Sequence, residues 1–326
     1  MKVLMETDSL ESILISVIIP SHNRSNTVSQ TIQSIIDQNF DKRFEIIIGD
    51  DCSTDNAREV LQEYQQKYPE IIRLIFHEQN IGLGANWATC VKAAKGKYLC
   101  NCDNDDYWHN PDKLRIQFDY MESHPDENVI ITNHRNHNRD TGVITEELAW
   151  IDRSVTLQQA FFQGKQRFCN ATIMYRAEFL RKHLNLDDFI KYQFTLQDWN
   201  TWIILSAYTD FTILPVSTAT FGIETESITR PATYEKIQER FRKEKECYQY
   251  VCGLFPESLK YDEKSYDAYI QSVLMNLAYK KRDFKNARKF AKSMLGLGDN
   301  SFRARMSQYY LGFYIFYLLK AIKRSR

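Results

Sequence analysis

"ISVIIPSHNRSNTVSQTIQSIIDQNFDKRFEIIIGDD", residues 15–51, decides the fold. It opens and closes on short β-branched-rich runs, 15–20 and 44–50, which suit strands buried on both faces. Between them Val28, Ile32, Ile35 and Ile36 recur along one helix face, and Asn26 stands where an N-cap is expected. A strand, a crossover helix and a second strand make a parallel unit, since antiparallel neighbours need only a tight turn.

The alternation continues. Runs 71–76, 97–102 and 128–133 read as further strands. Residues 55–67 place Val60, Leu61 and Tyr64 at helical spacing, and "NWATCVKAAK" is a helix ended by Gly96. "NPDKLRIQFDYM" puts Asn110 at a cap and Pro111 at the first helical position. Such alternation predicts an α/β fold with a doubly wound, mainly parallel sheet. From about 155 to 223 the rhythm loosens: "TLQQAFFQ" and "LQDWNTWIILSAY" read as helices, "NATIMYR" and "FTILPV" as strands. Beyond 232 the pattern is helical, with residues 268–295 forming a helical hairpin like one tetratricopeptide-type unit. The expected organisation is one domain over 1–230, divided near 135, and an α-helical C-terminal extension over 231–326.

Composition excludes some function classes. Lys plus Arg and Asp plus Glu number 42 each, so a neutral chain gives no support for broad nucleic-acid binding. Seven cysteines and an opening "MKVLMETDSLES" without a secretory pattern predict free thiols in a reducing cytoplasm. Cys100 and Cys102 have half the spacing of a zinc site, but no second pair follows, so they read as strand cysteines. The apolar run 309–319 is shorter than the ~20 residues a membrane span needs.

Ligands of doubly wound sheets bind beyond the carboxyl ends of the strands. There this chain carries "PSHNRS", "DDCSTD" and "CNCDNDDYW". Each alone could be a solvated turn; together they point to one site. In an extended chain Asp103 and Asp105 face the same way and Asn104 turns aside. Two carboxylates on one point suit Mg2+ or Mn2+, which are commonly shared with phosphates, so a nucleoside diphosphate is expected. Asp50 and Asp51 could accept hydrogen bonds from a base or ribose. No G-x-x-x-x-G-K-[ST] or G-x-G-x-x-G motif follows a strand, and "NIGLGAN" lacks the third glycine, so a dehydrogenase or NTPase is not supported.

Residues 15–56 with "NIGLGANWATCVKAAKGKYLCNCDNDDYWHNPDKL" resemble the N-terminal half of family 2 glycosyltransferases, densely over 14–135 and thinly to about 228. The resemblance implies a GT-A fold and transfer of a sugar from a nucleotide-sugar donor, with inversion at the anomeric carbon. It makes 1–135 the nucleotide-sugar-binding half and 136–230 the acceptor half. Pro20, Ser21, His22, Asn23 and Arg24 match the loop lining the nucleotide, with His22 where the family usually has Tyr. Asp51, with Ser53 beside it, matches the acid that reads the base; Cys52 replaces the usual Gly. Asn86 matches a polar residue near the donor. Ala85 stands where relatives often have Arg, which leaves Arg24 and Lys92 as candidate positive charges. Asp103, Asn104 and Asp105 match the acidic motif, with Asp103 and Asp105 as ligands of Mn2+ or Mg2+, and Asp106 extends it toward the acceptor.

An acid preceding an aromatic at a helix start in "FTLQDWNTWIILS" makes Asp198 the catalytic base by resemblance; a first-turn acid also suits the helix dipole. Trp199 is a candidate acceptor-stacking surface, whereas the spacing of Trp202 reads as core. Where relatives often carry a basic residue and then a His, this chain has Gly222 and Glu224; Glu224 could substitute as an oxygen ligand of the metal, but a loop acid is the preferred reading. "NHRNHN" (133–138) reads as a polar loop without metal.

The last residues mix Tyr309, Tyr310, Phe313, Tyr314, Phe316 and Tyr317 with Lys320, Lys323, Arg324 and Arg326. Two readings carry equal weight: peripheral contact with an anionic cytoplasmic leaflet, or packing on the catalytic domain or a second subunit as a homodimer. The expected partners are a nucleotide-sugar donor, UDP-sugar by family default, and a glycan or lipid-linked saccharide acceptor of surface polysaccharide assembly. Against this stand a non-catalytic nucleotide-binding scaffold, and a sugar-nucleotide nucleotidyltransferase whose Gly-rich, basic signature "IPSHNRSN" lacks.

Overall fold

Strand β1 (Ile15–Ser21) lies at the centre of the sheet in a computed structural model of the chain. The structure describes residues 12–224 and 233–299, with 301, 305, 307 and 309. The chain divides into two units, Met1–Glu224 and Thr225–Arg326.

In the first unit, β1 is followed by α1 (Val28–Ile36), β2 (Phe44–Asp50), α2 (Ala57–Lys67), β3 (Ile72–Phe76), α3 (Leu83–Ala93) and β4 (Tyr98–Asn101). β1 pairs in parallel with both β2 and β4, and β2 in parallel with β3, so helical crossovers join them. The strands have a period of two, so Val17 and Ile19 of β1 face one core with Val28, Ile32 and Ile35 of α1 and Leu61 of α2. Ile18 and Ile47 are equally buried on the other face, where α3 packs across β1 and β2. Both faces are therefore covered, which is why these strands read as continuous apolar runs.

The sheet then departs from parallel winding. β5 (Tyr107–Trp108) and α4 (Lys113–Ser123) precede β6 (Val129–Asn138), β7 (Ile144–Glu147), β8 (Trp150–Ile151), α5 (Leu157–Phe162), β9 (Gln166–Arg167), a 3-10 turn over Asn170–Thr172, and β10 (Met174–Arg176). Helices α6 (Ala177–His183), α7 (Leu186–Tyr192) and α8 (Gln197–Leu205) lead to β11 (Thr212–Ile223). The strand order is β3-β2-β1-β4-β10-β6-β11-β5, with β7 on β6 and a separate β8-β9 pair. β10 is inserted antiparallel between β4 and β6, and β5 is antiparallel to β11.

Several expectations shift. The predicted polar loop "NHRNHN" is strand: β6 continues to Asn138 because β11 pairs with it as far as Ile223. β11 is twice the length of "FTILPV", with bulges after Leu214 where Pro215 brings no N–H to the ladder. Asn26 is not the cap of α1; Thr27 holds that place without a side-chain cap bond, its hydroxyl donating instead to the Asn104 carbonyl at 2.7 Å. Asn110 and Pro111 precede α4 as a turn, and Asp112 stands at its N-cap. Of "NATIMYR" only Met174–Arg176 is strand.

The second unit holds α9 (Tyr234–Leu254), α10 (Glu263–Lys281) and α11 (Phe284–Gly296). Ile237 and Phe241 of α9 share a core with Leu274 and Ala278 of α10 and Phe290 and Ala291 of α11. The predicted hairpin is present: Arg282 takes the left-handed conformation (φ 56°) and Asp283 caps α11 by accepting from the Asn286 N–H. The basic and aromatic tail beyond Tyr309 lies outside the described residues. Among the described residues no helix is long and apolar enough to cross a membrane, and all seven cysteines are free thiols.

Candidate active site

Three loops meet at the carboxyl edge, because parallel register brings the ends of β1, β2 and β4 together. The loop after β1 is tied to the loop after β2. His22 Nδ1 lies 2.8 Å from the Asp51 carbonyl, the Asn23 N–H donates to Ser53 Oγ at 2.9 Å, and Asn23 Oδ1 accepts from the Thr54 N–H at 2.7 Å. His22 and Asn23 are left exposed, while Pro20 and Ser21 are buried. Asn23 (φ 51°) and Cys52 (φ 58°) both have left-handed backbone, and the Cys52 conformation accounts for the glycine expected there by family likeness.

Asp51 is 3% exposed, and its carboxylate accepts the N–H groups of Ile81 (2.7 Å) and Gly82 (2.9 Å) just before α3. Its first task is to anchor that helix entry. Asp50 is fully buried and holds Arg58 Nε at 2.6 Å. Asn86, at 1% exposure, does not face the open edge: Nδ2 donates to the Gly49 carbonyl at 2.7 Å and Oδ1 lies 3.0 Å from His77 Nε2. Gly49 is required here, since a Cβ would stand 2.0 Å from Asn86 Oδ1.

The acidic segment is a turn, not the extended chain expected, because the Asp106 N–H donates to the Asp103 carbonyl at 2.9 Å. The turn separates its members. Asp103 and Asp105 stay partly accessible. Asn104 turns inward and donates to Ser21 Oγ at 3.0 Å. Asp106, placed by sequence on the acceptor side, is 1% exposed; its Oδ1 accepts the Gly222 N–H at 2.9 Å and Oδ2 has no hydrogen-bond partner among the described residues.

Burial pushes the Asp103 carboxyl up to about 7, the negative Asp105 and Asp198 add to this, and the Asn170 amide opposes it. Burial also raises Asp105, against the pull of Arg24, and holds Asp106 well above the usual range with Asp105 and Asp103 adding. Arg24 Nη2 stands 3.2 Å from Asp105 Oδ2 and its Nη1 2.6 Å from Glu224 Oε2. Arg24 thus brings positive charge to the Asp105 carboxylate; Lys92 instead pairs with Asp187 on the surface.

Asp198 lies in the first turn of α8, partly accessible, with Oδ1 accepting from the Trp199 N–H at 2.7 Å. Burial raises its carboxyl above the usual range against that bond. Trp199 is not an acceptor platform: it is 8% exposed and its Nε1 donates to the Phe161 carbonyl at 3.0 Å. Trp202 is core as expected, donating to the Tyr175 hydroxyl.

Two groups were not legible in sequence. Asn170 Nδ2 stands 3.4 Å from Asp103 Oδ1, and its own oxygen accepts from Asn101, which in turn accepts from Trp87 Nε1. Arg139, directly after β6, donates from Nη2 to the Asp105 carbonyl at 2.6 Å. Only the asparagine in "CNAT" hints at the first, and nothing local hints at the second.

Oxygen donors alone suit a hard divalent cation, whose charge would reverse the upward shifts of Asp103 and Asp105. Among the described residues no group of three or more His, Cys, Asp or Glu is gathered to hold a metal. Among the described residues the accessible carboxylates of the turn are Asp103 and Asp105, and Mg2+ characteristically completes its shell with waters and phosphates.

A mixed sheet with an acidic turn at its carboxyl edge, beside a first-turn acid from a later helix, defines a GT-A fold protein. The chain belongs to glycosyl transferase family 2, whose family model matches residues 16–184. A putative teichuronic acid biosynthesis glycosyltransferase of Bacillus subtilis is 39% identical over 108 residues, 33% of this chain and 42% of that protein. An uncharacterized protein of Mycobacterium tuberculosis is 36% identical over 114 residues, 35% of this chain and 33% of its own length. The chain thus spans less than half the length of these relatives. Residues 1–349 of S. aureus TarS in complex with UDP share the fold with TM-score 0.52 at 18% identity, over 86% of this chain and 81% of that one. The Pyrobaculum calidifontis mannosyltransferase PcManGT with GDP-Man and Mn2+ does so with TM-score 0.52 at 13% identity, over 94% and 84%.

Proposed function

We propose that this protein is an inverting, metal-dependent glycosyltransferase. It moves a sugar from a nucleotide-sugar donor, a UDP-sugar by preference, to a hydroxyl of a glycan or lipid-linked acceptor in surface polysaccharide assembly. One observation supports the reading: Asp103 and Asp105 stay accessible on the turn after β4, at the edge where the loops after β1 and β2 converge, and the charge of Asp198 adds to the raised proton affinity of Asp103. The named role of the Bacillus subtilis relative in teichuronic acid synthesis and the UDP bound to TarS support the substrate class.

Asp103 and Asp105 would hold Mn2+ or Mg2+, which when bound supplies positive charge to the leaving diphosphate. His22 and Asn23, exposed on a loop tied to the Asp51 segment, offer a surface for the nucleoside. Asp198 accepts the proton of the acceptor hydroxyl as that oxygen attacks the anomeric carbon. Its burial serves this task, because a base with a raised pKa binds a proton more strongly.

Calorimetric titration of UDP, dTDP, GDP and CDP, with and without Mn2+, into wild type and Asp105→Asn tests the donor site. Tight binding of one nucleotide that needs both metal and Asp105 is expected. Metal-independent binding, or none, would favour the scaffold reading.

A further inference from the structure

We propose that Arg139 is a positioning residue for the acidic turn, holding the Asp105 main chain in place for its carboxylate to act, and that the bare Gly222 is what admits it. This rests on the donor-site reading above and adds a residue that neither the family motif nor local sequence marks.

Asp105 is gripped from two directions. Arg24 meets its side chain at 3.2 Å, and Arg139 Nη2 meets its main-chain oxygen at 2.6 Å. The two arginines act on different atoms. A group bound to the carboxylate competes with Arg24 directly, whereas the Arg139 bond to the carbonyl can persist. Arg139 is also fixed on its far side. Its N–H donates to the Ile223 carbonyl at 2.9 Å, continuing the β6–β11 ladder by one residue, and Nη1 donates to Gln30 Oε1 of α1 at 3.2 Å. Arg139 therefore links α1 and the acidic turn through its guanidinium and the end of β11 through its main chain.

The space it uses exists only because residue 222 has no side chain. A Cβ on Gly222 would stand 2.3 Å from the Asp105 carbonyl, 2.8 Å from Arg139 Nε and 3.3 Å from Nη2. The first contact is with backbone, so the turn itself would have to shift. Gly222 also donates its N–H to the buried Asp106 carboxylate at 2.9 Å, which places the C-terminal half of the turn against β11. A residue at 139 without the guanidinium therefore removes the geometric restraint on the Asp105 main chain.

The test titrates wild type, Arg139→Gln and Arg139→Lys with whichever of UDP, dTDP, GDP or CDP binds wild type most tightly, with and without Mn2+. Melting temperatures are taken in parallel, and free Mn2+ binding is followed by electron paramagnetic resonance. Arg139→Gln is expected to weaken Mn2+ and Mn2+-dependent nucleotide binding roughly ten- to hundredfold, the range for a lost hydrogen bond from a charged donor. Metal-free nucleotide binding should change less than about twofold, and Arg139→Lys, which keeps a charged donor but not the two-nitrogen fork, should recover part of the loss. Wild-type Mn2+ affinity in Arg139→Gln overturns the proposal. So does equal weakening with and without metal together with a collapsed melting transition, which would make Arg139 a general fold residue. Wild type that shows no metal-dependent binding overturns the donor-site reading itself, and this inference with it.

Discussion

Arg24 Nη2 stands 3.2 Å from Asp105 Oδ2, and the same guanidinium holds Glu224 at 2.6 Å. The cation site predicted from "DND" is thus balanced by an arginine from the loop after β1, with a carboxylate from the end of β11 as its second partner. Arg24 offsets the burial that raises Asp105.

Removing Arg24 therefore raises the proton affinity of Asp105 further. In Arg24→Gln, Mn2+ binding should begin at higher pH than in wild type, because protons compete more strongly for the carboxylate. Calorimetric Mn2+ titrations between pH 5.5 and 8 provide the check. An unshifted pH profile would show that the ion pair has no bearing on the site.

Asp103 titrates near 7 in the folded protein against about 3.9 in an unfolded chain. The folded state then binds the extra proton between these values, so without metal its stability falls as pH rises from about 4 toward 7 and levels off above. Asp103→Asn removes the charge at nearly constant shape. It should raise the melting temperature by a few degrees at pH 8, little at pH 4, and abolish metal-dependent nucleotide binding. Destabilisation at pH 8 would contradict the assignment.

Asp198→Asn should lower transfer by about 10²–10⁴-fold, the usual contribution of a general base. Donor affinity should stay within about twofold. Because burial raises the Asp198 carboxyl, activity should fall on the acid side at a pH above the ordinary carboxylate range. The readout is nucleoside diphosphate release in the presence of acceptor; unchanged release removes Asp198 from the chemistry.

Asn86 bonds inward to Gly49 and His77, so Asn86→Ala should act on stability rather than on donor binding. The Gly49 carbonyl loses its side-chain partner, a cost of about 1–3 kcal/mol. Urea denaturation beside nucleotide titration separates the two effects. A large loss of nucleotide affinity at unchanged stability would restore the donor role suggested by family likeness.

Cys52 has φ 58°, a conformation that costs most side chains about 1–2 kcal/mol. Cys52→Gly should stabilise the protein by about 0.5–1 kcal/mol, since glycine recovers part of that in the fold and loses part to unfolded-state entropy. A lower urea midpoint would show that the bond from Cys52 Sγ to the Glu78 carbonyl outweighs the backbone strain.

The sequence by itself determined the parallel core and the edge where the site lies. Apolar runs at 15–20 and 44–50 with a helix-spaced stretch between them permit few other arrangements, since both signals depend only on local periodicity. The same locality made Asp103, Asp105 and Asp198 legible as acids at the ends of elements. Tertiary structure alone decided which polar residues face outward. Asp106, Asn86 and Trp199 carry the residue types of a site, yet each is turned into the interior by a partner distant in sequence: Gly222, Gly49 and Phe161. Arg139 shows the converse, an unremarked residue brought to the Asp105 carbonyl because β6 runs on beside β11 to Ile223. Strand pairing and side-chain orientation depend here on contacts between residues 34 to 116 apart in sequence, and periodicity within a short window carries no record of them.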